Sequence, residues 1–324
     1  MDHETITWCC DGHDLGIGIT RAGTGPTLLL LPALSSISTR YELHGLQEQL
    51  APSFSTVAVD WPGFGDQPKP YIHWRPAIYT AFLRHLLSHV AANPFGIVAA
   101  GHATGYVLRH FTRQEAAGER LVFLSPTWRG PLPTMVGRDY KLFDSMAHGF
   151  DLPLLGRLLY GLNVNRAVIG MMARGHVYAN RAWLAGARLQ EKLAVTRARG
   201  ARHGSARFVT GRLDPFPSGE EQTRAARDVG LPILNVFSQR APRKSRLEME
   251  ALARVPNVVT VRMLYGKLSF YEEFPQQTAE VVRNFLADRP PVAAPASPDQ
   301  PQRSAAPRPP APGASRLNPS RHTT

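Results

Sequence analysis

The chain of 324 residues has only two cysteines, Cys9 and Cys10, and they are adjacent. Neighbouring cysteines rarely pair, because a disulfide needs separated, facing Cβ atoms, so neither a disulfide framework nor a spaced metal motif follows. The expected setting is the reducing cytoplasm. No apolar run approaches the ~20 residues of a membrane-spanning helix. The longest lies around Leu28–Leu31, and Met1–Asp14 lacks the basic and apolar regions of a signal peptide. Also missing is any basic run interleaved with aromatics. The formal net charge is +12, but the arginines of the body are scattered along the chain. That excludes a recognisable nucleic-acid motif and leaves only a general attraction to anionic surfaces. No nucleic-acid partner, membrane span, cofactor or metal is expected, and nothing in the sequence bears on oligomeric state. There is also no histidine between His203 and His322, and no Asp or Glu in Phe237–Arg243.

What is present alternates regularly. Glu4–Cys10 and Leu15–Thr20 predict a hairpin turning at Asp11-Gly12. Thr27–Leu34, Phe54–Val59, Phe95–Ala100, Leu121–Leu124, Ile233–Phe237 and Val258–Met263 are short apolar runs of the kind buried in parallel sheets. Between them stand helical patterns at Glu42–Leu50, Ile78–Val90, Pro217–Arg227, Glu248–Arg254 and Phe274–Leu286. This order predicts an α/β fold with a mostly parallel, doubly wound sheet of eight strands. From Trp128 to about Arg202 the strand rhythm stops. Helices are predicted at Tyr140–His148, Leu154–Leu162, Arg166–Ala173 and Arg181–Arg197, as an inserted helical lid. Its apolar residues Phe150, Leu152, Leu154, Leu155, Leu158, Leu159, Val168, Met171 and Met172 would line a pocket or form the lid's own core. The expected division is a core in two parts, 1–127 and 206–288, a lid over 128–205, and a tail over 289–324. That tail is rich in Pro, Ala and Arg and has no composition for a packed core, so disorder is expected.

The central stretch is Phe95–Arg109, FGIVAAGHATGYVLR. A buried strand followed by Gly-His-Ala-Thr-Gly has the layout of a nucleophile elbow, G-x-S-x-G. Further marks are Gly23-Thr24-Gly25-Pro26, Asp60-Trp61-Pro62-Gly63-Phe64-Gly65 and the helical insertion. With these residues together, the chain over about 5–287 resembles the α/β-hydrolase superfamily. Within it the chain is similar to a subgroup with blocks like Pro126–Pro133, His176–Ala179 and Pro242–Glu250.

The resemblance implies a nucleophile, an acid and a histidine in chain order. The nucleophile position is Ala103. The stretch expected to hold the acid has none; Asp214 is the nearest carboxylate upstream, expected to serve a turn or helix start. The histidine position falls at Leu268 or Ser269, and tail His322 is no substitute. Asp139, Glu272 and Glu273 have no histidine to orient. With all three positions changed, the expectation is a pseudoenzyme that binds a small apolar ligand. Its pocket would be formed by Leu34, Ser35, Ser36, His102, Ala103, Thr104 and Leu268. Two alternatives stand beside this: a hydrolase-superfamily enzyme using His102, and a scaffold or interaction protein using the basic surface and tail.

Overall fold

The computed structural model describes residues 1–112, 120–137 and 140–287; Asp139 and the predicted tail lie outside them. Its sheet has eight strands, β1 (Asp2–Cys10), β2 (His13–Ala22), β3 (Thr27–Leu31), β4 (Ser55–Val59), β5 (Gly96–Ala100), β6 (Arg120–Leu124), β7 (Ile233–Ser238) and β8 (Val258–Met263). They lie in the order β1-β2-β4-β3-β5-β6-β7-β8. The β1–β2 and β2–β4 pairs are antiparallel and all others parallel. Asp11 and Gly12 both take positive φ, 49° and 76°, the backbone that a two-residue hairpin turn requires.

Alternate residues of the central strands face opposite layers. Leu30, Val98, Val122 and Leu234 stand level across four strands and pack on one side. There they meet α1 (His44–Leu50), α12 (Phe270–Glu273) and α13 (Pro275–Leu286). Leu29, Ile97, Leu121 and Ile233 pack on the other side. That layer holds α2 (Pro76–His85), α3 (Ala103–Phe111) and α10 (Gly219–Asp228), while α11 (Arg243–Leu252) packs beside β7. The helix expected at Glu248–Arg254 thus begins earlier, just after Pro242, whose fixed φ sets the entry to the first turn.

Between β6 and β7 the chain forms α4 (Pro131–Val136), α5 (Leu142–Gly149), α6 (Leu155–Asn163), α7 (Arg166–Met172), α8 (Gly186–Arg197) and α9 (Ala201–Val209). The α9 helix was not expected from its mixed Arg, His and Ser composition, yet α4, α5, α6 and α8 all pack on it. Asp151 ties its own loop to α9, accepting from His203 Nδ1 at 2.7 Å and from Arg207 Nη2 at 2.7 Å. Of the nine apolar residues expected to line a pocket or make a core here, Phe150, Leu159 and Val168 are half-buried, while Leu152, Leu154, Leu155, Leu158, Met171 and Met172 lie outside the buried clusters. These six are exposed.

The Asp60–Asp66 turn is held by buried charge. Arg40 Nη1 pairs with Asp60 Oδ2 and lies 3.1 Å from Asp66 Oδ1, and its backbone N–H donates to Asp60 Oδ1 at 2.6 Å. Gly18 and Gly65 press on this pair, and a Cβ at either would collide with it. Arg40→Met strands Asp60, of which 2% is exposed. The expected cost is about 3–5 kcal/mol in urea denaturation. A loss under about 1 kcal/mol, the range of a surface ion pair, would show that Asp60 is reached by water.

Candidate functional site

The chain turns sharply where β5 ends at Ala100. Gly101 alone in that turn has left-handed backbone, with φ of 52°, while His102 is already right-handed and Ala103 opens α3. The strained position is therefore two residues before Ala103. A Cβ on Gly101 would lie 3.1 Å from the Ala33 Cβ and 3.9 Å from Thr127 Oγ1, so these residues bound the space above the turn. Gly105 is needed for a different reason: a side chain there would strike the Pro215 ring.

Leu34, His102, Ala103 and Thr104 are each at most 1% exposed and belong to the packed interior. Ser35 and Ser36 lie above them, half-buried; Ser35 Oγ meets Ser38 Oγ at 2.8 Å, and Ser36 Oγ meets Ser205 Oγ on α9. Leu268 packs elsewhere, on Phe237, Ala241 and Met249. The seven expected pocket residues are thus split between the core, the loop after β3 and the far side of β7.

His102 is fixed as a structural group. Its Nε2 is 3.0 Å from the Leu213 carbonyl, which also accepts from Tyr106 Oη at 2.6 Å. A carbonyl only accepts, so Nε2 carries the proton. Asp214 Oδ1 is 3.3 Å from the same nitrogen and accepts from the Gly130 N–H at 2.8 Å. Asp214 thus secures the turn before α4, and the helix it was expected to start has Ser218 as its cap instead. Burial lowers the His102 pKa to about 4, so the ring is neutral near pH 7. The stretch without an acid is closed by Ser238, whose Oγ donates to the Gly266 carbonyl at 2.8 Å and accepts from the Arg240 N–H at 3.0 Å.

The concentrated chemistry lies one loop away, around Glu42 and Lys192, which carry no motif, and Glu272, which pairs with a lysine where no histidine was expected. Glu42 Oε1 accepts from the Ala33 N–H at 2.6 Å and from Tyr271 Oη at 3.2 Å. Its Oε2 is 3.7 Å from Lys192 Nζ, which is 3.3 Å from Glu272 Oε2. Glu272 Oε1 accepts from Tyr178 Oη at 2.9 Å. Burial raises the Glu42 pKa to about 7; Lys192 opposes the rise and the charge on Glu272 adds to it. One signal could have found Lys192. It shares the buried stripe of α8 with Leu189, Leu193 and Thr196, where a lysine needs a partner. The cluster borders a cavity of about 380 Å³ whose other walls include Trp183, Leu184 and Pro275.

The three sequence blocks fall at joints between the helical insertion and the sheet. His176–Ala179 meets α12, with the Ala179 N–H donating to Glu273 Oε2 at 2.9 Å. Pro126–Pro133 faces Pro242–Glu250, with Arg129 Nε 3.3 Å from Glu248 Oε1, beside a cleft of about 820 Å³. Among the described residues no group of three or more His, Cys, Asp or Glu side chains could hold a metal ion, and no helix is long and apolar enough to cross a membrane.

Comparison with known proteins places this architecture. A bromoperoxidase from Bacillus anthracis superposes with a TM-score of 0.62 at 17% identity, over 88% of this chain and 100% of that one. A thermophilic esterase from Thermogutta terrifontis gives 0.64 at 16% identity, over 89% and 99%. A haloalkane dehalogenase loop variant from Bradyrhizobium elkanii gives 0.64 at 16% identity, over 89% and 97%. The chain has the α/β-hydrolase fold, and these neighbours of that fold are hydrolytic or related enzymes. In sequence it is similar to uncharacterised proteins of Mycobacterium bovis and Mycobacterium tuberculosis, 34% identical over 84 residues, 26% of this chain. The matched part is 24% of the length of those relatives. No family model matches.

The cluster sets a pH dependence. The Glu42 carboxyl has its ordinary value of 4.5 unfolded and about 7 folded, so the native state holds the extra proton between them. Its contribution to stability is greatest below about pH 4.5 and declines as pH rises through 7. Glu42→Gln is expected to reduce the fall in Tm between pH 5 and pH 8 relative to wild type. Lys192→Met, which leaves two carboxylates together, is expected to cost about 3–5 kcal/mol at pH 8 and less at pH 5. Equal pH profiles for wild type and Glu42→Gln would remove Glu42 as the source.

Proposed function

We propose that the protein is a non-hydrolytic binder of a small, mainly apolar molecule on an α/β-hydrolase scaffold. One observation carries this reading: the left-handed position of the strand-to-helix turn is Gly101, which has no side chain to act as nucleophile. Two others support it. His102 holds a proton on Nε2 against the Leu213 carbonyl and is buried and neutral, so it is poorly placed as a base. The loop after β7 and Leu268 supply neither acid nor histidine.

The cavity beside Glu42 fits a ligand better than the buried elbow. An apolar body would rest on Trp183 and Leu184, and one hydroxyl or amine would donate to Glu42 or Glu272. Binding energy would come from desolvating the apolar part, and the polar group would fix its orientation.

Wild type, Gly101→Ser and Ala103→Ser are expected to show no turnover of short-chain or long-chain esters and no labelling by a fluorophosphonate probe. A burst of product from wild type would overturn the reading. Native mass spectrometry of the purified chain is expected to reveal a bound small molecule that raises Tm. Glu272→Gln should weaken its binding by about tenfold, as a hydrogen bond to a carboxylate becomes one to a neutral amide oxygen.

A further inference from the structure

The helices between β6 and β7 carry a surface unlike the rest of the molecule. Of the sixteen large apolar side chains exposed among the described residues, eleven fall between Met135 and Met172. Leu154, Leu158 and Leu162 recur every four residues along α6 and so lie on one side of it. They are 82%, 62% and 60% exposed, and Leu155 extends the row at 48%. A single exposed leucine is ordinary, but a contiguous row marks a docking surface.

Beside the row is a cavity of about 480 Å³ between α6–α7 and α8–α9. Arg157, Arg166, Arg197, Arg199 and Arg202 line it, and no acidic side chain does. Arg202 Nε donates to the Phe150 carbonyl at 3.0 Å. The other four guanidinium groups have no acceptor among the described residues. Asp151, in the loop before α6, is held by His203 and Arg207. From Leu152 to Gln190 the chain contains five arginines and no Asp or Glu. Arg157 stands between Leu155 and Leu158 on α6, so the cationic cavity and the leucine row share an edge.

We propose that this face docks on an anionic phospholipid surface, with a lipid phosphate entering the five-arginine cavity and the leucines of α6 entering the acyl boundary. The two features together select this occupant. Leucines flanked by arginines, without acids, are the composition of a helix lying in a membrane interface. A second copy docked symmetrically would bring like-charged arginines together, a repulsive arrangement. A nucleic acid would leave the leucine row uncovered. This inference is independent of the cavity at Glu42.

Sedimentation of the full chain with vesicles tests it. Binding is expected to phosphatidylcholine vesicles containing phosphatidylglycerol and not to phosphatidylcholine alone. Arg157→Ala with Arg166→Ala should lower the partition coefficient roughly 30-fold, at about fivefold for each arginine near the surface. Leu154→Ser with Leu158→Ser should leave only binding that salt removes. Circular dichroism melts confirm that each pair of substitutions leaves the fold intact. Both pairs leave the basic residues beyond Leu286 unchanged, so wild-type binding by either pair would overturn the proposal. Equal binding to both vesicle types, or to neither, would also overturn it. If inorganic phosphate raises Tm without vesicle binding, the cavity serves free phosphate and the proposal fails. A dimer in sedimentation velocity that the leucine substitutions abolish, again without vesicle binding, would assign the face to a second copy instead.

Discussion

The buried carboxylate of Glu42 is the point on which three parts of the molecule converge. One oxygen fixes the loop after β3 through the Ala33 N–H and reaches α12 through Tyr271. The other faces Lys192 on α8, which in turn holds Glu272. Loop, helical insertion and closing helices are thus referred to one charge cluster. Burying such charges is costly and is offset only where each group finds partners. The cluster meets that condition with a tyrosine hydroxyl at each carboxylate and one lysine shared between them. An apolar joint could slide; a charged one leaves unpaired groups if it moves, so the insertion is held in one position over the sheet.

The geometry of the elbow is set by packing. The left-handed turn at Gly101 is a steric requirement of a strand feeding directly into a helix, whereas Gly105 is required by the Pro215 ring packed against it. The His102 ring has been absorbed into packing, bonded to Leu213 and set edge-on to Phe208 with ring centroids 5.5 Å apart.

The fold was legible where local rules coincide with tertiary ones. Apolar runs such as Thr27–Leu31 are buried on both sides, and Asp11-Gly12 fits its turn, so composition alone located them. The strained residue of the elbow was not legible. Gly101 and Gly105 satisfy the spacing of a G-x-x-x-G turn, but only the end of β5 at Ala100 decides which residue must take positive φ. The outward face of α6 was hidden for a related reason: periodicity reveals that leucines share a side, not which neighbour, if any, covers it. The arginines of the cavity are separated by up to 45 positions in sequence, from Arg157 to Arg202, and only the packing of α6 and α8 on α9 gathers them. The carboxylate–lysine cluster draws on residues 42, 192 and 272 and has no local signature beyond a lysine in an apolar stripe.

The Arg40–Asp60 pair also constrains how this sequence can change. Gly18 and Gly65 have no room for a methyl group while the guanidinium and carboxylate stand against them. Removing the charges first would open that room at Gly18, where adding a side chain first would meet a filled site; at Gly65 the left-handed backbone, with φ of 73°, disfavours any other residue whatever stands beside it. Gly18, Arg40 and Asp60 are therefore bound in an order of substitution: a lineage that leaves this arrangement must lose the ion pair before Gly18 is released, while Gly65 stays fixed by its own backbone.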